Sequence, residues 1–315
     1  MAAEAEALAG LRILVCIAKA DGKVTAEERD ALRDAFAALT LPAGTTVDSL
    51  LAEKIDLDAQ VKAIASPEAR DAAYNGAYSM AWADGEASAE ETALLERVRA
   101  GLGIPKERAT LVGRVFSEAK DTVLPSNIKA IADPEKRAKE IREDVRKYSI
   151  FTAILGAFPI PGVAIATDLA VVGLQVKMVR DIGQYHGHKV DNRAAKSLLY
   201  GLGLGTGARI AVTNVAKLVP VFGSAFGAVA SFASTWALGK VADQYFASGG
   251  KADMATLKDA FKKAEKEGKK EYDASKAAIE AKKKATAASI EALNADLKAG
   301  KISQAEYEKR VDALA

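Results

Sequence analysis

The sequence predicts an all-α protein: a duplicated helical bundle, then apolar, glycine-rich helical hairpins, then a charged helical tail. Three observations carry this. Apolar residues recur at helical spacing, as at Leu11, Leu14, Val15 and Ala18 and again at Tyr74, Ala77, Tyr78 and Ala81. Helix-start signals of the S/T-x-x-E type recur at Thr25 with Glu28, Ser88 with Glu91 and Ser303 with Glu306. Half of the residues are apolar and 27% are charged, a balance that builds a core and excludes wholesale disorder or a collagen-like repeat. At 315 residues the chain is long enough for roughly two domains of ~150 residues.

The first 122 residues read as helix, Asp-Gly turn, helix, twice over. Ala20-Asp21-Gly22-Lys23-Val24-Thr25-Ala26-Glu27-Glu28 aligns with Ala83-Asp84-Gly85-Glu86-Ala87-Ser88-Ala89-Glu90-Glu91 at a shift of 63, and the same shift sets Leu39-Thr40-Leu41-Pro42 on the helix stop Leu102-Gly103-Ile104-Pro105. A second echo runs from Lys62-Ala63-Ile64-Ala65-Ser66-Pro67-Glu68-Ala69-Arg70 to Lys129-Ala130-Ile131-Ala132-Asp133-Pro134-Glu135-Lys136-Arg137, shifted by 67, and marks a third, degenerate unit. Ser66-Pro67 and Asp133-Pro134 each place a capping side chain before a proline at the first helical position, where its missing N–H is no loss. Paired helices around A-D-G-x-x-[ST]-A-E-E resemble the TerB-like (tellurite-resistance) family over residues 5–120. That resemblance implies a small helical bundle with acidic clusters at the repeated turn and an association with stress response, and names no reaction.

Residues 123–147 read as a connecting helix, after which the composition changes. Tyr148 to Thr167 is an uncharged run of 20 residues and Leu218 to Gly239 another of 22, each matching the ~20 residues that cross a bilayer. Pro159, Pro161 and Gly162 break the first into two helices at a corner, and the second begins at a similar corner, Pro220-Val221-Phe222-Gly223. Residues 148–250 resemble the YcjF-type domain found with Era-like GTPases, through Pro159-x-Pro161-Gly162, Asp168, the helix end Gln175 to Ile182, Tyr185-His186-Gly187, Asp191 with Arg193-Ala194, the glycine-rich Leu199 to Gly207, and Val219-Pro220 through Thr235 to Gly239. The resemblance implies membrane association and a GTPase acting in trans, since the chain has no G-x-x-x-x-G-K-[ST] of its own.

Residues 251–315, rich in Lys, Glu and Ala, suit a long solvated helix with weak packing. Leu293 and Leu297, then Gly300 to Tyr307, Val311 and Leu314 read as two short helices around a glycine turn, and L-x-x-G-x-I-[ST]-x-x-E-[FY] resembles a short C-terminal oligomerisation domain. Such helices carry too little apolar surface to fold alone, so a homo-oligomer is expected.

Two histidines and one cysteine leave little from which to build a zinc site or a histidine-based acid/base apparatus, and no enzyme is expected. The acids of the two turns give a candidate site for a hard divalent cation such as calcium, formed by Asp21, Glu28, Asp84 and Glu91. The competing reading is that these glutamates cap helices. His186-Gly187-His188 lacks a third ligand. Gly201, Gly203, Gly205 and Gly207 lack the strand a phosphate loop follows, so they read, like Gly223-x-x-x-Gly227, as places of close helix approach. Asp168, inside an apolar helix, reads as a packing or oligomer-contact residue.

Charge divides along the chain: residues 1–120 hold 14 basic and 20 acidic side chains, residues 121–250 hold 15 and 10, and the tail 15 and 12. The tail's interspersed acids and lack of interleaved aromatics speak against nucleic acid, while its lysines suit anionic lipid. The N-terminus has no basic segment followed by an apolar core, so no secretory signal is expected, and Cys16 is expected to be a reduced, buried thiol. The functional expectation is a non-enzymatic, oligomeric scaffold or stress-response protein at the cytoplasmic side of a bacterial inner membrane. The alternative is a soluble, oligomeric cation-binding module whose apolar helices lie in a protein core.

Overall fold

The computed structural model describes residues 2–20, 45–82, 87–157, 164–204 and 223–315, together with Gly22, Val24, Arg29, Leu32 and Arg33. Among these residues there are helices and no strand, as the apolar periodicity requires. The chain divides into two compact units, Met1–Arg114 with Ile160–Ile165 and Gly205–Gly223, and Val115–Pro159 with Ala166–Leu204 and Ser224–Ala315.

The first unit is built on α1 (Ala2–Ala18), which packs against α2 (Val47–Ala52), α3 (Leu57–Lys62), α4 (Pro67–Ala81) and α5 (Ala89–Gly101). Leu11, Ile13, Leu14, Val15 and Ile17 are all buried, so α1 is apolar on most sides and must be surrounded. Glu6 fixes its register. One carboxylate oxygen accepts from the Ala65 and Ser66 amides, each at 2.8 Å, and the other from the Ser66 hydroxyl at 2.8 Å. Ser66 in turn caps α4, with Pro67 in its first turn. Arg70 Nε donates to the Ile64 carbonyl at 3.3 Å, and at the echoed position in the second unit Arg137 Nη1 donates to the Ile131 carbonyl at 2.8 Å, with Asp133 capping α7 (Pro134–Ala157). The shifted repeat is thus one local device used twice, a capped helix start whose arginine ties down the preceding segment. The helix stop at Leu102 also forms: Gly103 has φ +67° and the Ile104 amide returns to the Arg99 carbonyl at 2.9 Å. The matching stop at Leu39–Pro42 lies outside the described residues. Helix α6 (Lys106–Asp121) follows.

The second unit gathers α7, α8 (Ala164–Tyr185), α9 (Asn192–Gly201), α10 (Gly223–Ala247), α11 (Met254–Lys298) and α12 (Gln304–Leu314). Helix α7 runs unbroken through Lys147 and buries Tyr148, Phe151, Ile154 and Leu155; α8 buries Leu174, Met178, Val179 and Ile182; α10 buries Phe232, Ala237, Leu238 and Val241. Glycines let these helices meet. A Cβ on Gly156 would sit 2.6 Å from the Gly227 carbonyl oxygen and strike the Ser231 hydroxyl, one on Gly239 would overlap the Val145 side chain, and one on Gly268 of α11 would lie 2.9 Å from the Ala233 Cα. The small-residue reading of Gly227 therefore holds, with Gly156 of α7 as its neighbour. A buried polar ladder crosses the same seam: the Thr152 and Thr235 hydroxyls are 2.9 Å apart, and Gln175 Nε2 donates to Thr235 Oγ1 at 2.9 Å.

Two expectations are corrected here. No helix among the described residues is long and apolar enough to cross a membrane. The described parts of the uncharged runs are divided between helices, Tyr148 to Ala157 ending α7 and the run at Gly223 to Gly239 starting α10, and among the described residues Tyr148, Phe151, Ile154, Leu155, Phe232 and Leu238 are buried in protein. The two proline corners, Pro159 to Gly162 and Pro220 to Phe222, lie outside the described residues. Nor is the tail a weakly packed solvated helix followed by two short ones. A single 45-residue helix, α11, packs against α7 and buries Leu257, Phe261, Ala264, Ile279 and Ile290, and α12 folds back onto it with Tyr307 and Val311 fully buried. The apolar neighbour the tail needs is supplied by the chain itself.

Gly156→Val places branched carbons against the α10 backbone, where no side chain can yield. Thermal unfolding of this variant is expected to show a loss of about 1–3 kcal/mol, and an unchanged melting temperature contradicts the packing described.

Candidate functional site

Of the four residues proposed for a cation, Asp21, Glu28 and Asp84 lie outside the described residues, as does Thr25. Glu91 is described, and its carboxylate closes a capping box. The Ser88 amide donates to Glu91 Oε2 at 2.8 Å and the Glu91 amide to the Ser88 hydroxyl at 3.1 Å. Gly22 of the first turn has φ +77°, the left-handed conformation an Asp-Gly turn requires, and its amide returns to the Lys19 carbonyl at 3.0 Å. Among the described residues no group of three or more His, Cys, Asp or Glu is placed to hold a metal ion.

Beside that turn the end of α1 borders a cleft of about 430 Å³ lined by Cys16, Lys19, Glu53, Lys54, Asp56 and Arg97 with Ile55, Leu57 and Leu94. Lys19, Glu53, Asp56 and Arg97 are engaged. Lys19 Nζ donates to the Leu51 carbonyl at 2.8 Å, Glu53 pairs with Arg12 at 3.1 Å, Arg97 reaches Asp58 at 3.1 Å, and Asp56 caps α3. Cys16 is a free thiol, half-buried where full burial is expected from sequence, because this cleft opens beside it. Burial pushes its pKa up, with Lys19 pulling the other way, so it is a poor nucleophile.

In the second unit the sequence signals resolve into structural roles. His186 Nε2 lies 2.7 Å from Asp243 Oδ1 and His188 Nε2 3.1 Å from the Phe246 carbonyl, so the two rings hold the α8 end against α10. Gly203, at φ +77°, closes α9, with the Leu204 amide returning to the Leu199 carbonyl at 2.9 Å; Gly205 and Gly207 lie outside the described residues. Asp168 is half-buried on α8.

Two buried clusters escape the sequence reading. Asp181, 1% exposed, pairs with Lys177 at 2.8 Å, accepts from the Tyr148 hydroxyl at 3.3 Å and meets the Ser126 hydroxyl. The Lys177 ammonium also donates to the Tyr148 oxygen at 2.7 Å, and burial beside Asp181 pushes the Tyr148 phenol far up, keeping it a neutral donor. The Lys-x-x-x-Asp spacing of 177 and 181 is the signal that could have found this pair. The second cluster lies on α12. Gln304 Nε2 donates to the Ala166 carbonyl at 3.1 Å and to Glu308 Oε1 at 2.9 Å, the Gln304 amide donates to Glu118 Oε2 at 2.5 Å, and Glu308 is 2% exposed. Burial pushes the Glu308 pKa up to about 7, against the pull of Gln304 and Lys196.

Comparison with known proteins identifies the first unit. Residues 4–113 match the family model of the tellurite resistance protein TerB. The chain is 35% identical over 120 residues to "Uncharacterized protein sll0481" of Synechocystis sp., a match covering 36% of this chain and 77% of that protein. No solved structure matches. The chain belongs to the TerB family through residues 4–113, a tellurite-resistance-related helical domain.

Two measurements follow from this geometry. Ser88→Ala removes the hydroxyl of the capping box and is expected to lower unfolding free energy by ~1 kcal/mol; an unaltered denaturation midpoint contradicts the role given to the cap. Alkylation of Cys16 by iodoacetamide at about pH 8 is expected to run slower than that of a small free thiol, since its thiolate is disfavoured; an equal or faster rate contradicts it.

Proposed function

We propose that this TerB-family chain is a non-enzymatic, peripheral scaffold of bacterial stress response, held at the cytoplasmic face of a membrane by the lysine-rich face of α11. The observation that supports it is charge placement. Lys258, Lys262, Lys263, Lys266, Lys269 and Lys270 are all exposed along four turns of one helix, against Asp259, Glu265 and Glu267 as the acids of that stretch. Each lysine near an anionic lipid surface adds ~1 kcal/mol of attraction that salt screens. The apolar helices then serve as the rigid body of the scaffold, and attachment is electrostatic. The TerB unit recruits partners, and the likeness of residues 148–250 to the YcjF-type domain supports a GTPase in trans as one such partner.

Co-sedimentation with vesicles tests this. The chain is expected to pellet with phosphatidylglycerol vesicles at about 0.1 M salt, to stay in the supernatant with phosphatidylcholine, and to be released at about 1 M salt or by alkaline carbonate. Lys262→Glu with Lys266→Glu and Lys269→Glu is expected to abolish pelleting. Binding that ignores lipid charge, or that resists carbonate, overturns the proposal.

A further inference from the structure

Helix α12 docks by a seam of unusual composition. Gln304, Glu308 and Asp312 recur every four residues and so form one stripe. Gln304 meets the Ala166 carbonyl and Glu308 Oε2 lies where a Cβ on Gly173 would be 2.7 Å away, while Lys177, further along α8, attracts the charge of Asp312. The stripe thus runs along α8 in register. The adjacent face of α12 is apolar: Tyr307 and Val311 are fully buried, and the Tyr307 hydroxyl donates to Asn294 Oδ1 of α11 at 2.8 Å.

An ionised Glu308 is poorly provided for in this seam. The donor within reach is the neutral Gln304 amide on its own helix, and Gly173 opposite it has no side chain. Lys196 of α9 is the cation that faces it, yet its ammonium is bonded to the Lys120 carbonyl at 2.6 Å, and among the described residues Glu308 makes no ion pair. Glu118 of α6 faces the same end of α12 and adds a further negative charge through the Gln304 amide. Asp121 of α6 and Lys120 act on Lys196 with opposite signs. At Asp312, burial and Asp181 disfavour the charge, whereas Lys177 of α8 and Lys147 of α7 favour it. From α11, Lys282 reaches the Ala315 carbonyl at 3.2 Å, beyond the stripe. The connection is a short turn: Ala299 caps α11, Gly300 follows at φ +70°, and the Lys301 amide returns to the Asp296 carbonyl at 2.9 Å.

We propose that α12 is a pH-gated latch, a helix, joined to α11 by a short glycine turn, that docks along α8 and α11 while Glu308 is protonated and comes away as Glu308 ionises. The sign follows from the raised carboxyl. Docked, Glu308 titrates at about 7; released into water, it returns to its ordinary 4.5. Below 4.5 both states hold the proton and docking is unpenalised. As pH rises from there towards 7 the released helix loses its proton first, so docking weakens, and above 7 the weakening is complete. Opening the latch uncovers Tyr307 and Val311, both buried in the docked state, and the part of α11 at Asn294 that receives the Tyr307 hydroxyl.

Hydrogen exchange of the α12 amides, corrected for intrinsic rates, reads the docking equilibrium in the full chain. Protection across residues 305–314 is expected to fall roughly 30-fold between about pH 5.5 and about pH 8.5, while protection in the middle of α7 stays constant. Glu308→Gln keeps the shape and the Gln304 contact without the charge, and is expected to leave α12 protected at both pH values. Tyr307→Ala removes the apolar anchor and is expected to expose α12 at both, confirming that its protection reports docking. Equal protection of unmutated α12 at the two pH values, or an undiminished pH dependence in Glu308→Gln, overturns the latch; a parallel fall in α7 overturns it too, as general loosening.

Discussion

The second unit depends on how closely its helix backbones approach one another. Where α7 meets α10 and where α10 meets α11, glycine replaces a side chain that would otherwise lie within bonding distance of the neighbour's backbone or side chain, at Gly156, Gly239 and Gly268. Close approach does two things at once. It buries Phe151, Ile154, Phe232 and Leu238, each buried side chain contributing about 1.5–3 kcal/mol. It also brings the hydroxyls of Thr152 and Thr235 within reach of each other and of Gln175, so that polar groups inside an apolar seam are satisfied. Helices that consume their apolar surface in this way have little left for lipid, which is why the described parts of the uncharged runs of 20 and 22 residues lie in a protein core.

The buried charges of this unit differ in how they are supported. Asp181 has a lysine, a phenol and a hydroxyl around it, and the arrangement holds a charge because its counter-charge lies 2.8 Å away. Glu308, as deeply buried, has one neutral amide. The first is a permanent strut between α7, α8 and the segment at Ser126. The second sits in a seam whose strength follows its protonation. The contrast comes from the partner, since burial alone is the same for both.

Much of the fold was legible in the sequence because helix starts and stops are local chemistry. Ser66 and Ser88 cap their helices as their spacing implies, and Leu102-Gly103 ends α5. At Ser303 half of the expected box forms: the hydroxyl takes the Glu306 amide at 3.1 Å, while the Glu306 carboxylate turns to Arg310 at 2.8 Å, four residues on and of opposite charge. What was not legible is tertiary. Hydropathy reports how apolar a run is and is blind to what covers it, so α10 reads alike for lipid and for a protein core. Sparse apolar residues made the tail look solvated, although Leu257, Phe261, Ile279, Ile290 and Leu297 lie on one buried stripe of a helix that packs against α7 and α12. Of the acidic site, Glu91 was placed correctly as a cap candidate, and the cluster at α12 went unnoticed because Gln304 and Glu308 acquire their environment from residues more than a hundred positions away.

The central claim is that the apolar helices are buried in protein and that any membrane contact is made by lysines. Trp236 of α10 reports on this directly, since its ring stacks on the buried Phe232 and its Cβ lies at the Gly268 approach of α11. In a Trp82→Phe chain its fluorescence can be followed on phosphatidylglycerol vesicles whose acyl chains carry bromine at mid-depth. A ring held beside Phe232 in a protein core keeps its intensity when the chain binds such vesicles, whereas strong quenching by the acyl-chain bromines would place α10 in lipid and contradict the account.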